Sequence, residues 1–280
     1  MPVKFNQYWT VDPEKVRTAF AENPDAAILA FVHAETSTGV RSDAATLCAI
    51  ARENGALSIV DCVTSLGGIE VSVDLWGADA VYSGTQKCLS CVPGISPVSF
   101  SPLATERIAA RTNKVQSWFL DMQLVMGYWG GTAKRAYHHT APVNDLYALH
   151  ESLVMLEEDG LEAAFARQEL NHRALVAGLE AMGLAMAVAP EHRLVQLNSV
   201  VIPEGVDDAA LRSALLNDFD LEIGAGLGAL AGKTWRIGLM GHSSCERNVM
   251  HCLNALEAAL KGQGAEVSSG LAAARSVYEH

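Results

Sequence analysis

Short apolar runs alternate with stretches of helical spacing along the N-terminal part of this chain. Residues 27–32 (AILAFV), 57–61 (LSIVD) and 80–82 (AVY) have strand length, and 95–100 predicts a fourth strand. Between the first two runs, residues 42–54 predict a helix. Ser42 can cap its start, Leu47, Ile50 and Ala51 recur at helical spacing, and Gly55 ends it. An earlier helix opens at Asp12, a suitable N-cap, with Pro13 in its first turn and Val16 and Phe20 as its inward stripe. Strand, helix and strand at this spacing predict a parallel sheet, whose functional residues collect at the carboxyl ends of the strands.

The middle of the chain changes rhythm. Ser101-Pro102 leads into a helix over 103–111, followed by Trp118-Phe119-Leu120-Asp121, the Gly-rich stretch 127–131 and Tyr137-His138-His139-Thr140. Residues 144–158 place Leu146, Leu149, Leu153 and Leu156 on one stripe, which predicts a long amphipathic helix stopping at Gly160. A second helix runs over 161–182 and stops at Gly183. The remainder predicts a small α+β unit: strand 195–202, helix 207–219, strand 221–223, a glycine loop, strand 234–239 and helix 246–261. The Ala-, Gly- and Ser-rich tail reads as frayed or weakly helical. This divides the chain into a large domain over 1–159, a small domain over 160–262 and a tail over 263–280.

Composition narrows the classes of function. With 20 basic against 32 acidic residues and a net charge of −12, a nucleic acid or an anionic membrane is a poor partner. No apolar run is long enough to span a bilayer, and Met1-Pro2-Val3-Lys4-Phe5 does not read as a signal peptide. The six cysteines lie in or beside apolar runs without the rhythm of a disulfide framework, which predicts reduced thiols in a cytosolic protein.

The candidate chemistry sits at the strand ends. After Ala80-Val81-Tyr82 the chain breaks into Ser83-Gly84-Thr85-Gln86-Lys87. A lysine presented from a tight turn can form a Schiff base with an aldehyde cofactor, and it can equally be a surface residue. Asp61 closes the preceding strand, where a carboxylate can serve a cofactor or simply cap a turn.

The ordered segments HAETSTG, VDCVTSLGG, YSGTQKCL, YHHT and WRIGLMG resemble those of class V aminotransferases that use pyridoxal 5′-phosphate (PLP), in the alanine–glyoxylate and serine–pyruvate branch. The resemblance covers nearly the whole chain. It implies an α/β fold of the fold-type I PLP-dependent transferases, with a partial large domain built on a mainly parallel sheet and a C-terminal α+β small domain. It also implies transfer of an amino group from alanine or serine to glyoxylate or pyruvate. Matched residue by residue, Lys87 is the Schiff-base lysine and proton carrier, and Asp61 is the partner of the pyridine nitrogen. Thr36 and Gln86 match hydrogen-bonding partners of the ring or phosphate, and Val63 the apolar group beneath the ring. Tyr137 and Thr140 match the pair that reaches the phosphate of the neighbouring subunit, implying a homodimer with shared sites. Arg236, flanked by apolar residues, matches the guanidinium that grips the substrate carboxylate.

Other motifs read as incidental. His138 and His139 are adjacent without an acidic or Cys cluster, so no metal site is assigned. The glycine loop at 224–228 departs from the dinucleotide fingerprint and reads as a mobile loop before the arginine strand. Cys88 and Cys91 have redox or zinc spacing with no second pair. Cys245 follows the candidate arginine, whereas the nucleophilic cysteine of the related desulfurases precedes theirs.

The family carries a further stretch ahead of the point where this chain begins, holding three strands, a Ser-Gly-rich phosphate cup and the aromatic that stacks on the ring. Residues 1–10, Trp9 included, do not match it. The expectation therefore forks. One reading is a PLP-dependent transaminase acting on small amino acids and 2-oxo acids. Another is a truncated, non-catalytic fragment or half of a split enzyme, and a third is a pyridoxamine–pyruvate transaminase.

Overall fold

In the computed structural model, which describes residues 10–129 and 136–279, Asp12 caps the first helix as its sequence predicts. The Asp12 carboxylate accepts from the Glu14 N–H at 2.9 Å, and α1 (Pro13–Glu22) buries Val16 and Phe20. Trp9, Gly130, Gly131 and His280 lie outside the described residues.

The chain then lays down β1 (Ile28–Val32) and a hairpin, β2 (Ala34–Glu35) and β3 (Val40–Arg41). Helix α2 (Ala44–Glu53) follows, then β4 (Leu57–Asp61). Asp43, not Ser42, caps α2, its Oδ1 accepting from the Thr46 N–H at 3.0 Å. Ser42 instead donates its own N–H to His33 O at 2.9 Å, so it belongs to the hairpin connection. A single helical turn, α3 (Val73–Trp76), carries the crossover to β5 (Ala80–Tyr82). Residues 95–100 shorten to β6 (Val98–Phe100), which pairs antiparallel with β5. The sheet runs β1-β4-β5-β6, with β1, β4 and β5 parallel.

Next come α4 (Pro102–Ala109), capped by Ser101, and α5 (Met122–Trp129), which the spacing did not reveal. Two long helices follow, α6 (Val143–Asp159) and α7 (Leu161–Ala181). No residue of α6 is buried, and Leu146 and Leu153 are exposed.

The C-terminal part holds β7 (Leu197–Val201), α8 (Asp208–Phe219), β8 (Gly224–Ala225), β9 (Thr234–Gly238) and α9 (Glu246–Gly262). These strands form an antiparallel sheet ordered β7-β9-β8. The strand expected over 221–223 does not form. Ile223 is buried, and the pairing falls on Gly224 and Ala225, so this glycine stretch is a sheet edge rather than a mobile loop. The tail ends in α10 (Leu271–Tyr278), docked on α7 and not frayed: Gly270 lies against the Gly178 backbone, and the Tyr278 hydroxyl donates to Asn171 Oδ1 at 2.7 Å.

Two buried apolar clusters result. One packs α1 and α2 on one face of the first sheet through Phe31, Val60 and Val81. The other gathers α7, α8, α9 and α10 against the second sheet around Trp235. The β2–β3 turn joins the two sheets. Gly39 has φ +81° there, and an added Cβ would sit 3.0 Å from Ser199 Oγ and 3.1 Å from Leu197 O, so glycine alone fits. Ser199 donates to Thr38 O at 2.7 Å across the same contact.

Candidate active site

The sheet's parallel strands deliver their following segments to one edge. Because Val32 pairs with Asp61 and Asp61 with Tyr82, the chain leaves β1, β4 and β5 side by side. The Thr36 turn, the Asp61–Val63 turn and the Gln86–Lys87 turn therefore emerge together at the carboxyl ends.

The Asp61 carboxylate is fixed by both oxygens. Val63 N–H donates to Oδ1 at 2.8 Å, closing an Asx turn, and the Tyr82 hydroxyl donates to Oδ2 at 2.7 Å. Burial, reinforced by the hydrogen bond to Asp61, pushes the Tyr82 phenol up to about 12, so it donates at neutral pH.

The Lys87 turn is tied to its surroundings by its backbone and small side chains. Thr85 donates its hydroxyl to Val92 O at 2.6 Å, Ser83 donates to Cys62 O at 3.0 Å, and Ser90 N–H donates to Lys87 O at 3.0 Å. Lys87 itself is half-buried, and its amine makes no hydrogen bond or ion pair among the described residues. Gln86 is exposed beside it.

A buried strut lies beneath these turns. Gln168 of α7 donates Nε2 to Gly68 O at 3.0 Å and accepts weakly from Cys88 Sγ at 3.8 Å. The Cys88 thiol also donates to Thr64 O at 3.2 Å, and burial pushes it up to about 12. A thiol held protonated and enclosed is a packing group, in keeping with the incidental reading of Cys88. Ser90 extends the clamp to the C-terminal part, its hydroxyl accepting from the His242 N–H at 3.0 Å.

Arg236 reaches this edge from β9. Its Nε donates to Ala225 O at 2.7 Å and its Nη1 to Thr36 O at 3.2 Å, across 200 positions of sequence. The structure thus brings Arg236 and Thr36 into contact and leaves Nη2 without a hydrogen-bond acceptor among the described residues. Tyr137 and Thr140 lie on the surface, hydrogen-bonded to each other at 2.6 Å, with Tyr137 72% exposed. His138 stacks on Trp118 with ring centroids 4.0 Å apart, a packing role. The sequence reading missed Tyr82 and Gln168. Tyr82 was signalled by its place as the last residue of β5, level with Asp61; Gln168 had no local signal.

The fold and this donor arrangement define a class, and comparison with known proteins agrees with it. The sequence profile of the class-V aminotransferases matches residues 1–275. The chain is 38% identical over 273 residues to the (S)-ureidoglycine–glyoxylate transaminase of Bacillus subtilis, covering 90% of this chain and 65% of that protein. It is 38% identical over 236 residues to the alanine–glyoxylate aminotransferase of Oryctolagus cuniculus, covering 84% and 60%. The crystal structure of the B. subtilis ureidoglycine–glyoxylate aminotransferase superposes with a TM-score of 0.93 at 39% identity, over 98% of this chain and 70% of that one. That of a pyridoxamine–pyruvate aminotransferase from Mesorhizobium loti gives 0.90 at 28%, over 96% and 69%. The chain belongs to the class V aminotransferase family, whose members are PLP-dependent enzymes of fold type I. It spans 65% and 60% of the length of the two curated relatives above.

Proposed function

We propose that this protein binds PLP and transfers an amino group between a small amino acid and a 2-oxo acid, with alanine or serine as donor and glyoxylate or pyruvate as acceptor. The observation that carries this is the donor set at one sheet edge. It comprises an unengaged amine on Lys87, a carboxylate on Asp61 with its orientation fixed and lone pairs to spare, and a guanidinium at Thr36. Those are the groups PLP chemistry requires at the aldehyde carbon, the ring nitrogen and the substrate carboxylate, so the residues present fit that part of the cofactor's needs.

When bound, PLP supplies an electron-poor ring that accepts the electron pair released at the substrate Cα. Asp61 would hold the proton on the pyridine nitrogen, since a nearby negative charge favours the protonated ring. Lys87 would hold the cofactor through its Nζ, and the same amine would carry the proton at the substrate Cα. Arg236 orients the substrate carboxylate, its plane set by Ala225 O and Thr36 O. Thr36 and Gln86 would hydrogen-bond the ring or phosphate, and Val63 would lie beneath the ring. Tyr137 and Thr140 serve the phosphate of a second subunit. Their exposure, with that of Trp118, Phe119 and the Leu146–Leu153 stripe of α6, supports a homodimer.

The experiment is PLP titration of the purified protein followed by absorbance. A visible band that persists through gel filtration is expected, and Lys87→Ala should abolish it. A wild-type protein that stays colourless and retains no PLP overturns the reading. The likeness to the M. loti enzyme supports a second reading, with pyridoxamine as amino donor to pyruvate. Assaying pyridoxamine against alanine with pyruvate or glyoxylate as acceptor separates the two.

A further inference from the structure

We infer that Tyr82 is a positioning residue for Asp61, its phenol holding the carboxylate in the orientation that meets the cofactor's ring nitrogen. This rests on the PLP reading above and adds a residue to it.

Register makes the contact possible. Asp61 and Tyr82 are partners in the parallel β4–β5 pair, so their side chains leave the same face of the sheet at the same level. Tyr82 O accepts from the Cys62 N–H at 2.8 Å, which pins its backbone beside the Asp61 turn. The phenol then reaches Oδ2 at 2.7 Å while the Val63 N–H holds Oδ1 at 2.8 Å. An ionised carboxylate can only accept, so the direction of the Tyr82 bond is fixed, and a charge-assisted bond of this length is among the stronger kinds.

Packing does not explain a tyrosine here. Tyr82 is 40% exposed, on the sheet face opposite the core formed by Phe31, Val60 and Val81. A half-exposed ring gains little from burial, whereas its hydroxyl removes the rotational freedom that Asp61 would keep with only the Val63 bond. Each oxygen bound by one donor still has a lone pair, so the anchored carboxylate can accept from a ring N–H.

Tyr82→Phe removes the hydroxyl and keeps the ring. The first arm is a PLP-affinity cycle read by absorbance in wild type, Tyr82→Phe, Asp61→Ala and the double variant. Loss of a hydrogen bond to a charged group predicts roughly tenfold weaker PLP binding in Tyr82→Phe. It also predicts no further loss when Tyr82→Phe is added to Asp61→Ala, since the phenol acts through that carboxylate. A merely structural tyrosine would weaken binding equally in both backgrounds. The second arm uses the protein without PLP. Tyrosine ionisation followed by ultraviolet difference, with Tyr82→Phe identifying the signal, should show Tyr82 titrating at lower pH in Asp61→Asn than in wild type. Unchanged PLP affinity in Tyr82→Phe, additive losses in the cycle, or an unmoved Tyr82 titration each overturns the inference. Failure of wild type to retain PLP overturns the cofactor reading itself, and is recognised separately because it precedes any variant.

Discussion

The two sheets of this molecule reverse what their strand sequences suggest. β1 reads ILAFV and is entirely apolar, yet Ile28 is 55% exposed. β7 reads LNSVV and carries two polar residues, yet only Val201 is exposed. The difference lies in what covers each face. The first sheet packs α1 and α2 on one side, while its other side opens on a cleft of about 810 Å³ lined by Ile28, Leu57, Ile59, Ala80 and Phe100. The second sheet is covered on both sides, and the two polar residues of β7 are buried with a partner each. Asn198 Oδ1 lies 2.7 Å from His172 Nδ1, and Ser199 donates to Thr38 O at 2.7 Å. Hydrophobicity predicts which residues can be buried, and partners decide which are.

The contrast makes the first expectation the largest. Leu256→Ala, in the C-terminal core, should cost about 2–5 kcal/mol of stability, whereas Ile28→Ala on the open face should cost under about 1. Urea denaturation of both variants checks this, and equal costs would erase the distinction between the sheets.

A titrating group behind the first sheet gives the next effect. Burial first, and then the charge of Arg41, lowers the His33 imidazole to about 4 from its ordinary 6.5. Below 6.5 the unfolded chain takes up a proton that folded His33 refuses until about 4. Stability from this group is thus complete above 6.5 and falls as pH drops towards 4, by about 3 kcal/mol in total. His172, also lowered chiefly by burial, acts in the same direction. Urea midpoints for wild type and His33→Asn between these limits should show a shallower acid loss in the variant.

The smallest effect tests the seam. Ser199→Ala deletes the donor to Thr38 O and should cost about 1 kcal/mol while speeding amide exchange in the β2–β3 turn. Exchange unchanged at Gly39 would show that the turn does not depend on the second sheet.

Legibility followed locality. Asp12 as a cap, the Leu47–Ile50–Ala51 stripe and the exact bounds of β4 and β5 were readable because neighbours in sequence determine them. Asp61 and Lys87 stood out for the same reason, as each follows or closes an apolar run. The α2 cap was misplaced by one residue because Ser42 and Asp43 are both good caps, and it is Asp43 Oδ1 that meets the Thr46 N–H. The strand expected over 221–223 failed because β9 pairs with the glycines that follow. Nothing near Ala-rich 271–278 shows that a helix will dock there, since its partners Asn171 and Gly178 lie on α7.

By itself, then, the sequence determined the order of elements, the chemistry available at the strand ends and the family to which the chain belongs. Only the tertiary structure decided which apolar faces are covered, that Arg236 meets Thr36, and that Tyr82 and Val63 together fix Asp61. The reason is physical. Caps, turns and periodicity are satisfied within a few residues, whereas a side chain's orientation and burial depend on groups that only the folded chain brings within hydrogen-bonding distance.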